Sequence, residues 1–139
     1  MDSNPNSPKV LVIDDEIGPR ESLKMILKKN YRVLTAESGG AALSLLRTLK
    51  PDVITLDLRM AGISGMETLR EIRKIDRHVN VIVVSGWATL LDTMETLCHG
   101  VSGYITKPFN IPEVIRMIED SLAAKPALTT GVPVVDQAS

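Results

Sequence analysis

Three acids, a hydroxyl and an amine stand directly behind short apolar runs of this chain. Lys9–Ile13 leads into Asp14-Asp15, Val53–Leu56 into Asp57, Val81–Val84 into Ser85, and Tyr104–Thr106 into Lys107-Pro108. In open α/β sheets, ligands bind outside the carboxyl ends of the strands. If the four runs are parallel strands, these side chains converge on one site although they are far apart in sequence. Three carboxylates held together repel one another and resist ionisation. A hard divalent cation relieves that repulsion, and Mg²⁺ commonly takes carboxylates together with phosphate oxygens. Asp15 and Asp57 read as direct ligands and Asp14 as a ligand through water. A carboxylate beside Mg²⁺ can also attack a phosphoryl group, giving an aspartyl phosphate. Such transfer depends on in-line placement and on neutralising the phosphoryl oxygens. Lys107 supplies positive charge there, and Ser85 supplies a hydrogen-bond donor. Asp57 is the best candidate nucleophile, because it stands alone at a central strand end.

The elements that must position these groups follow from an alternation of short apolar runs with longer amphipathic stretches. That alternation reads as βα units around a parallel sheet. Strands are expected at about 9–13, 31–36, 52–57, 81–84 and 102–106. The first helix opens at Asp14-Asp15-Glu16, holds Pro19 in its first turn and carries Leu23, Ile26 and Leu27. The second, capped by Ser38, carries Ala42, Leu45, Leu46 and Leu49 and ends at Lys50-Pro51. The third buries Leu69, Ile72 and Ile75. The fourth, about Ala88 to Cys98, turns Leu90, Met94 and Leu97 inward, keeps Cys98 as a small core residue and stops at Gly100. The fifth aligns Ile111, Val114, Ile115, Ile118 and Leu122, and Pro126 closes it. Right-handed crossovers favour a doubly wound, five-stranded parallel α/β sheet in the order 2-1-3-4-5 with five helices, a flavodoxin-like arrangement. Residues 1–7 read as a disordered N-terminal segment, 8–124 as the folded domain and 125–139 as a linker or disordered tail.

Length and composition agree with this reading. The chain has 139 residues, is 44% hydrophobic and 24% charged, and has a formal net charge of −1. That suits one soluble domain and offers no basic run for nucleic acid or an anionic membrane. The single cysteine, Cys98, excludes an intramolecular disulfide. The polar, Pro-containing N-terminus does not read as a secretory signal, and no apolar run approaches a membrane span. A cytoplasmic location is expected.

Four segments resemble the receiver domain of bacterial two-component response regulators: Val10–Glu16, Asp57–Met60 with Gly62 and Gly65, Ser85–Thr89, and Gly103–Phe109. They lie in the right order and span almost all of the expected domain. The resemblance implies that Asp57 is the phosphoacceptor and that Asp14 and Asp15 are the acidic metal-binding pair. It implies the Arg59 backbone carbonyl as a further Mg²⁺ ligand, Ser85 and Lys107 as phosphoryl-binding groups, and Ser85 with Tyr104 as the switch pair. It also implies a cis bond before Pro108. Arg59 and Trp87 would flank the site and tune the lifetime of the phosphoryl group, and Ala61 stands where the family often has proline. A sensor histidine kinase or phosphotransfer protein would supply the phosphoryl group. The surface of the fourth helix, fifth strand and fifth helix would carry the output and could support a homodimer.

Two other functions compete. A Mg²⁺-dependent phosphatase of the haloacid dehalogenase kind resembles Asp-x-Asp after the first strand, whereas here Asp14 and Asp15 are adjacent and Asp57-Leu58-Arg59 has arginine in the second place. A phosphorylation-independent interaction module usually has a damaged site, and this one is complete. His78 and His99 read as surface residues, Met60 and Met66 as packing, and Leu91 and Met117 as apolar residues on the output face. No effector motif follows the fifth helix, and the tail suggests a receiver cut from a longer protein.

Overall fold

The computed structural model describes residues 5–60, 62, 64–86 and 90–130, with the side chains of 90, 91 and 125–130 left aside. Five strands, β1 (Lys9–Ile13), β2 (Arg32–Ala36), β3 (Val53–Leu56), β4 (Asn80–Ser85) and β5 (Gly103–Thr106), alternate with five helices. These are α1 (Ile17–Leu27), α2 (Gly39–Leu46), α3 (Gly65–Ile75), α4 (Leu90–Cys98) and α5 (Ile111–Thr130). The strands form one parallel sheet in the order β2-β1-β3-β4-β5.

Alternation along the strands sorts their side chains into two cores. Leu11, Ile13, Ile54, Leu56, Val81 and Val83 pack with Ala42, Leu46, Leu69 and Ile72 of α2 and α3. Val10, Val12, Val53, Ile82, Val84 and Ile105 pack with Leu23 and Leu27 of α1 and Val114 and Ile118 of α5. Burial on both faces accounts for the unbroken apolar character of β1, β3 and β4. In register, Ile13 pairs with Leu56, Leu56 with Val83, and Ser85 with Thr106. The residues that follow therefore leave the sheet along one edge.

Helix starts are set by local chemistry. Ser38 accepts the Ala41 N–H at 3.1 Å, and Ser64 and Glu67 form a reciprocal capping box at the start of α3. Gly100 has a φ of 69° just after α4, a left-handed stop that favours glycine.

Several expectations need correction. α2 ends at Leu46, before Leu49 and the Lys50-Pro51 stop. Ile75, the last residue of α3, is 50% exposed rather than buried. Among the α4 side chains described, the expected stripe is turned over: Met94, Leu97 and Cys98 are exposed, and Thr96 is the buried one. A buried hydroxyl is tolerable when hydrogen-bonded, and Thr96 meets that condition. Met117, expected off the fifth helix's stripe, is half-buried against the core. α5 passes Pro126 and continues to Thr130, beyond the end expected at 124. A proline there removes the bond that its N–H would give the Leu122 carbonyl. The readings for residues 1–4, Ala61, Trp87, Ala88 and Thr89, the side chains of Leu90 and Leu91, and residues 131–139 fall outside the described residues.

Candidate functional site

The ladder of the sheet extends into the site. Asp57 N–H donates to the Ile13 carbonyl at 3.0 Å and Lys107 N–H to the Ser85 carbonyl at 3.0 Å. These bonds bring the ends of β1, β3, β4 and β5 together. Asp14, Asp57 and Ser85 are all buried there, at 3%, 3% and 5% exposure. α3 approaches the same edge closely. A Cβ on Gly65 would lie 2.3 Å from the Asp57 carbonyl oxygen and 2.3 Å from Leu58 Cα, so only glycine fits at this point. The Lys107–Pro108 peptide bond is cis.

Lys107 is the centre of the charge arrangement. Its Nζ lies 2.8 Å from Asp14 Oδ2, 2.9 Å from Glu16 Oε1 and 3.0 Å from Asp57 Oδ2. Asp57 Oδ1 accepts the Arg59 N–H at 2.9 Å, and Asp14 Oδ1 accepts the Glu16 N–H at 2.9 Å. Burial pushes the Asp57 carboxyl above the usual range. The Arg59 N–H and Lys107 work against that shift, and the neighbouring Asp14 adds to it. Burial alone would lower the Lys107 ammonium, but hydrogen bonds to Asp14, Glu16 and Asp57 outweigh it and raise it beyond its ordinary value. Lys107 therefore stays charged throughout the physiological range.

Oxygens of Asp14, Glu16 and Asp57 all lie within 4.8 Å of one another. An all-carboxylate donor set, two of whose members are buried, fits a hard cation with oxygen preference. Membership of this cluster differs from the sequence expectation. Glu16 belongs to it, whereas Asp15 is exposed. Glu16 was read only as part of the opening of the first helix; its place directly after an acidic pair was the available signal. Ser85 sits at the end of β4, one residue before Gly86. Tyr104 is half-buried on β5, away from the carboxylates, with its hydroxyl reaching α4. A groove of about 540 Å³ opens beside the cluster, lined by Glu16, Pro19, Ser22, Gly86, Lys107 and Phe109 among others.

A buried carboxylate with raised proton affinity, a fixed ammonium and two further acids, Asp14 and Glu16, thus gather charges of both signs in one small space. Known proteins resemble this chain in sequence and in fold. Residues 10–119 match the model of the response regulator receiver domain. The transcriptional regulatory protein PrrA of Mycobacterium leprae is 32% identical over 131 residues, covering 94% of this chain and 56% of PrrA. This chain thus spans little more than half of that relative. The sporulation initiation phosphotransferase F of Bacillus subtilis is 30% identical over 118 residues, covering 84% of this chain and 95% of the relative. The crystal structure of a CheY-like response regulator receiver domain protein from Methanospirillum hungatei superposes with a TM-score of 0.85 at 25% identity, covering 88% of this chain and 98% of that one. With fold, site and likeness in agreement, the chain belongs to the response regulator receiver domains, which are phosphorylation-controlled signalling switches.

Proposed function

We propose that Asp57 is the phosphoacceptor of this switch and that Mg²⁺ is its cofactor. The observation that carries the reading is the single ammonium of Lys107 held against both buried carboxylates, Asp14 and Asp57. Asp57 offers the nucleophilic oxygen at a strand end, and Lys107 is placed to follow a phosphoryl oxygen as Asp57 Oδ2 becomes esterified. Ser85, at the adjoining strand end, offers a hydroxyl to the same group. Asp14, Glu16 and Asp57 provide carboxylates for the cation, with Asp15 and the Arg59 carbonyl as further oxygen donors. Bound there, Mg²⁺ would neutralise charge on the transferred phosphoryl group.

Receiver domains interact with histidine kinases or phosphotransfer proteins. Here the groove beside Lys107 and Phe109 suits a donor that must bring its phosphoryl group within reach of Asp57. Phosphorylation adds charge and strong acceptor oxygens at Asp57, which draws Ser85 and Lys107 and biases the α4–β5–α5 surface. That surface is the proposed output face and a homodimer interface, with no nucleic-acid contact by this domain. No helix of the described residues is long and apolar enough to cross a membrane, and a cytoplasmic site of action is the proposed one. The domain would catalyse its own phosphoryl transfer without turning over an external metabolite.

The test uses beryllofluoride with Mg²⁺ as a phosphoryl mimic, followed by backbone amide spectra. Saturable binding, with shifts at residues 57, 85, 104 and 107 that are lost in Asp57→Asn, supports the reading. Steady turnover of phosphate monoesters would favour a phosphatase instead.

A further inference from the structure

Among the α4 side chains described, the fully buried one is a threonine, while Met94 and Leu97 face solvent at 55% and 63% exposure. Thr96 is 0% exposed. Its hydroxyl donates to the Thr93 carbonyl at 2.9 Å and is in hydrogen-bond contact with the Tyr104 hydroxyl. Because the Thr96 proton goes to Thr93, Tyr104 is the donor in that contact, and the Asp92 carbonyl at 3.3 Å is the alternative acceptor for its single proton. Valine has nearly the same shape as threonine and would bury there with no polar atom to satisfy. The hydroxyl is therefore not needed to fill the space; what it adds is a defined partner for Tyr104.

That partner matters because of where Tyr104 lies. It pairs with Val83 on β4, and two residues further along, Thr106 pairs with Ser85. Lys107 follows immediately. Other ties join α4 and the turn after it to α3, through the Arg70–Glu95 ion pair and through Arg73 to the carbonyls of His99 and Gly100. The Tyr104 hydroxyl joins α4 to β5, the strand that leads into Lys107. In this arrangement Lys107 holds Asp57 Oδ2 at 3.0 Å, and a phosphoryl group on Asp57 must break that contact.

We propose that Thr96 is a positioning residue whose hydroxyl fixes the Tyr104 side chain against α4, and so sets how readily the domain leaves the arrangement in which Lys107 holds Asp57. The proposal rests on Asp57 as phosphoacceptor for its consequence, but not for the Thr96–Tyr104 link itself. A ligand shifts a two-state equilibrium only by its differential affinity, and removing a bond made in one state changes the apparent affinity for a ligand of the other.

The experiment compares wild type, Thr96→Val and Thr96→Ser as the full chain. Ring-labelled tyrosine gives two sets of signals, one each for Tyr31 and Tyr104, separated by Tyr31→Phe. In Thr96→Val the Tyr104 signals shift or broaden with no phosphoryl mimic present, and Thr96→Ser returns them to the wild-type position. The apparent affinity for beryllofluoride with Mg²⁺ rises about three- to tenfold in Thr96→Val, the effect of losing one hydrogen bond, and falls back in Thr96→Ser. Wild-type Tyr104 signals in Thr96→Val, or failure of serine to restore them, overturns the proposal. So does a Tyr104 shift without a change in mimic affinity. Failure of the wild type to bind the mimic at all would count against Asp57, leaving the Tyr104 spectra to judge Thr96. Should Thr96→Val not fold, Tyr104→Phe removes the same link from the other side and must raise the affinity similarly; an unchanged affinity there also overturns it.

Discussion

Asp57→Asn should stabilise the metal-free domain at neutral pH. With an effective dielectric constant of about 20, Lys107 at 3.0 Å attracts the Asp57 carboxylate by about 5.5 kcal/mol. Asp14, whose oxygen lies within 4.8 Å, repels it by about 3.5 kcal/mol. Glu16 adds less, because its exposed side chain is screened by solvent. Withdrawing a carboxylate that is 3% exposed from water costs several kcal/mol more, on the order of the residual attraction or above it. The balance opposes the ionised form, in agreement with the upward shift that burial gives Asp57. Asparagine keeps an oxygen for the Arg59 N–H and removes the charge, at the cost of one acceptor for Lys107, which keeps Asp14 and Glu16. We expect a net gain of about 1–2 kcal/mol, equivalent to a rise of roughly 4–8 °C in Tm.

The pH dependence follows from linkage. A carboxyl with a raised folded pKa has its full stability below its unfolded value and loses stability as pH rises through the folded value. The advantage of Asp57→Asn is therefore largest at neutral pH, shrinks as pH falls through the raised folded value, and is gone only below the ordinary value of 3.8, where the wild-type carboxyl is protonated in both states. Urea denaturation of both proteins with chelator, from pH 7.5 down to about 4, reads this directly. A variant less stable than wild type at pH 7, or a difference independent of pH, would refute the electrostatic account.

Arg73→Ala should destabilise by about 2–4 kcal/mol in urea denaturation, since charge-assisted bonds to several carbonyls are lost together; the guanidinium serves His99, Asp76, Val79 and Gly100 at 2.7, 3.3, 2.8 and 3.2 Å. Arg73→Lys should recover little, because an ammonium cannot span that fork, and full recovery would contradict the multi-carbonyl role. Gly65→Ala should cost about 3 kcal/mol or weaken Mg²⁺ binding by displacing α3 from the site, whereas Gly40→Ala, with open space around its Cβ, should gain about 0.5–1 kcal/mol; equal effects in thermal melts would contradict the close approach of Gly65 to Asp57.

Much of the site was legible because parallel strands convert sequence-distant residues into neighbours by a simple rule. Once β1, β3, β4 and β5 were recognised as apolar runs, Asp14, Asp57, Ser85 and Lys107 had to share an edge. Glu16 escaped because an acid after Asp14-Asp15 looks like an ordinary helix-opening residue, and only the path of the backbone brings it to Lys107 and leaves Asp15 exposed. α4 was misread for a different reason. Periodicity assumes that apolar side chains turn inward, but Thr96 is buried through hydroxyl partners that no spacing reveals. Its burial turns Met94, Leu97 and Cys98 outward. Ile75 was lost at a helix end, where the periodic face has already run past the core.

The most direct test of the central claim is to treat the protein with a small phosphodonor and Mg²⁺ and locate the phosphoryl group by peptide mass spectrometry after borohydride reduction. One phosphoryl group on Asp57, absent with chelator and absent in Asp57→Asn, is the predicted result. An unmodified protein, or equal labelling of Asp57→Asn, would contradict it.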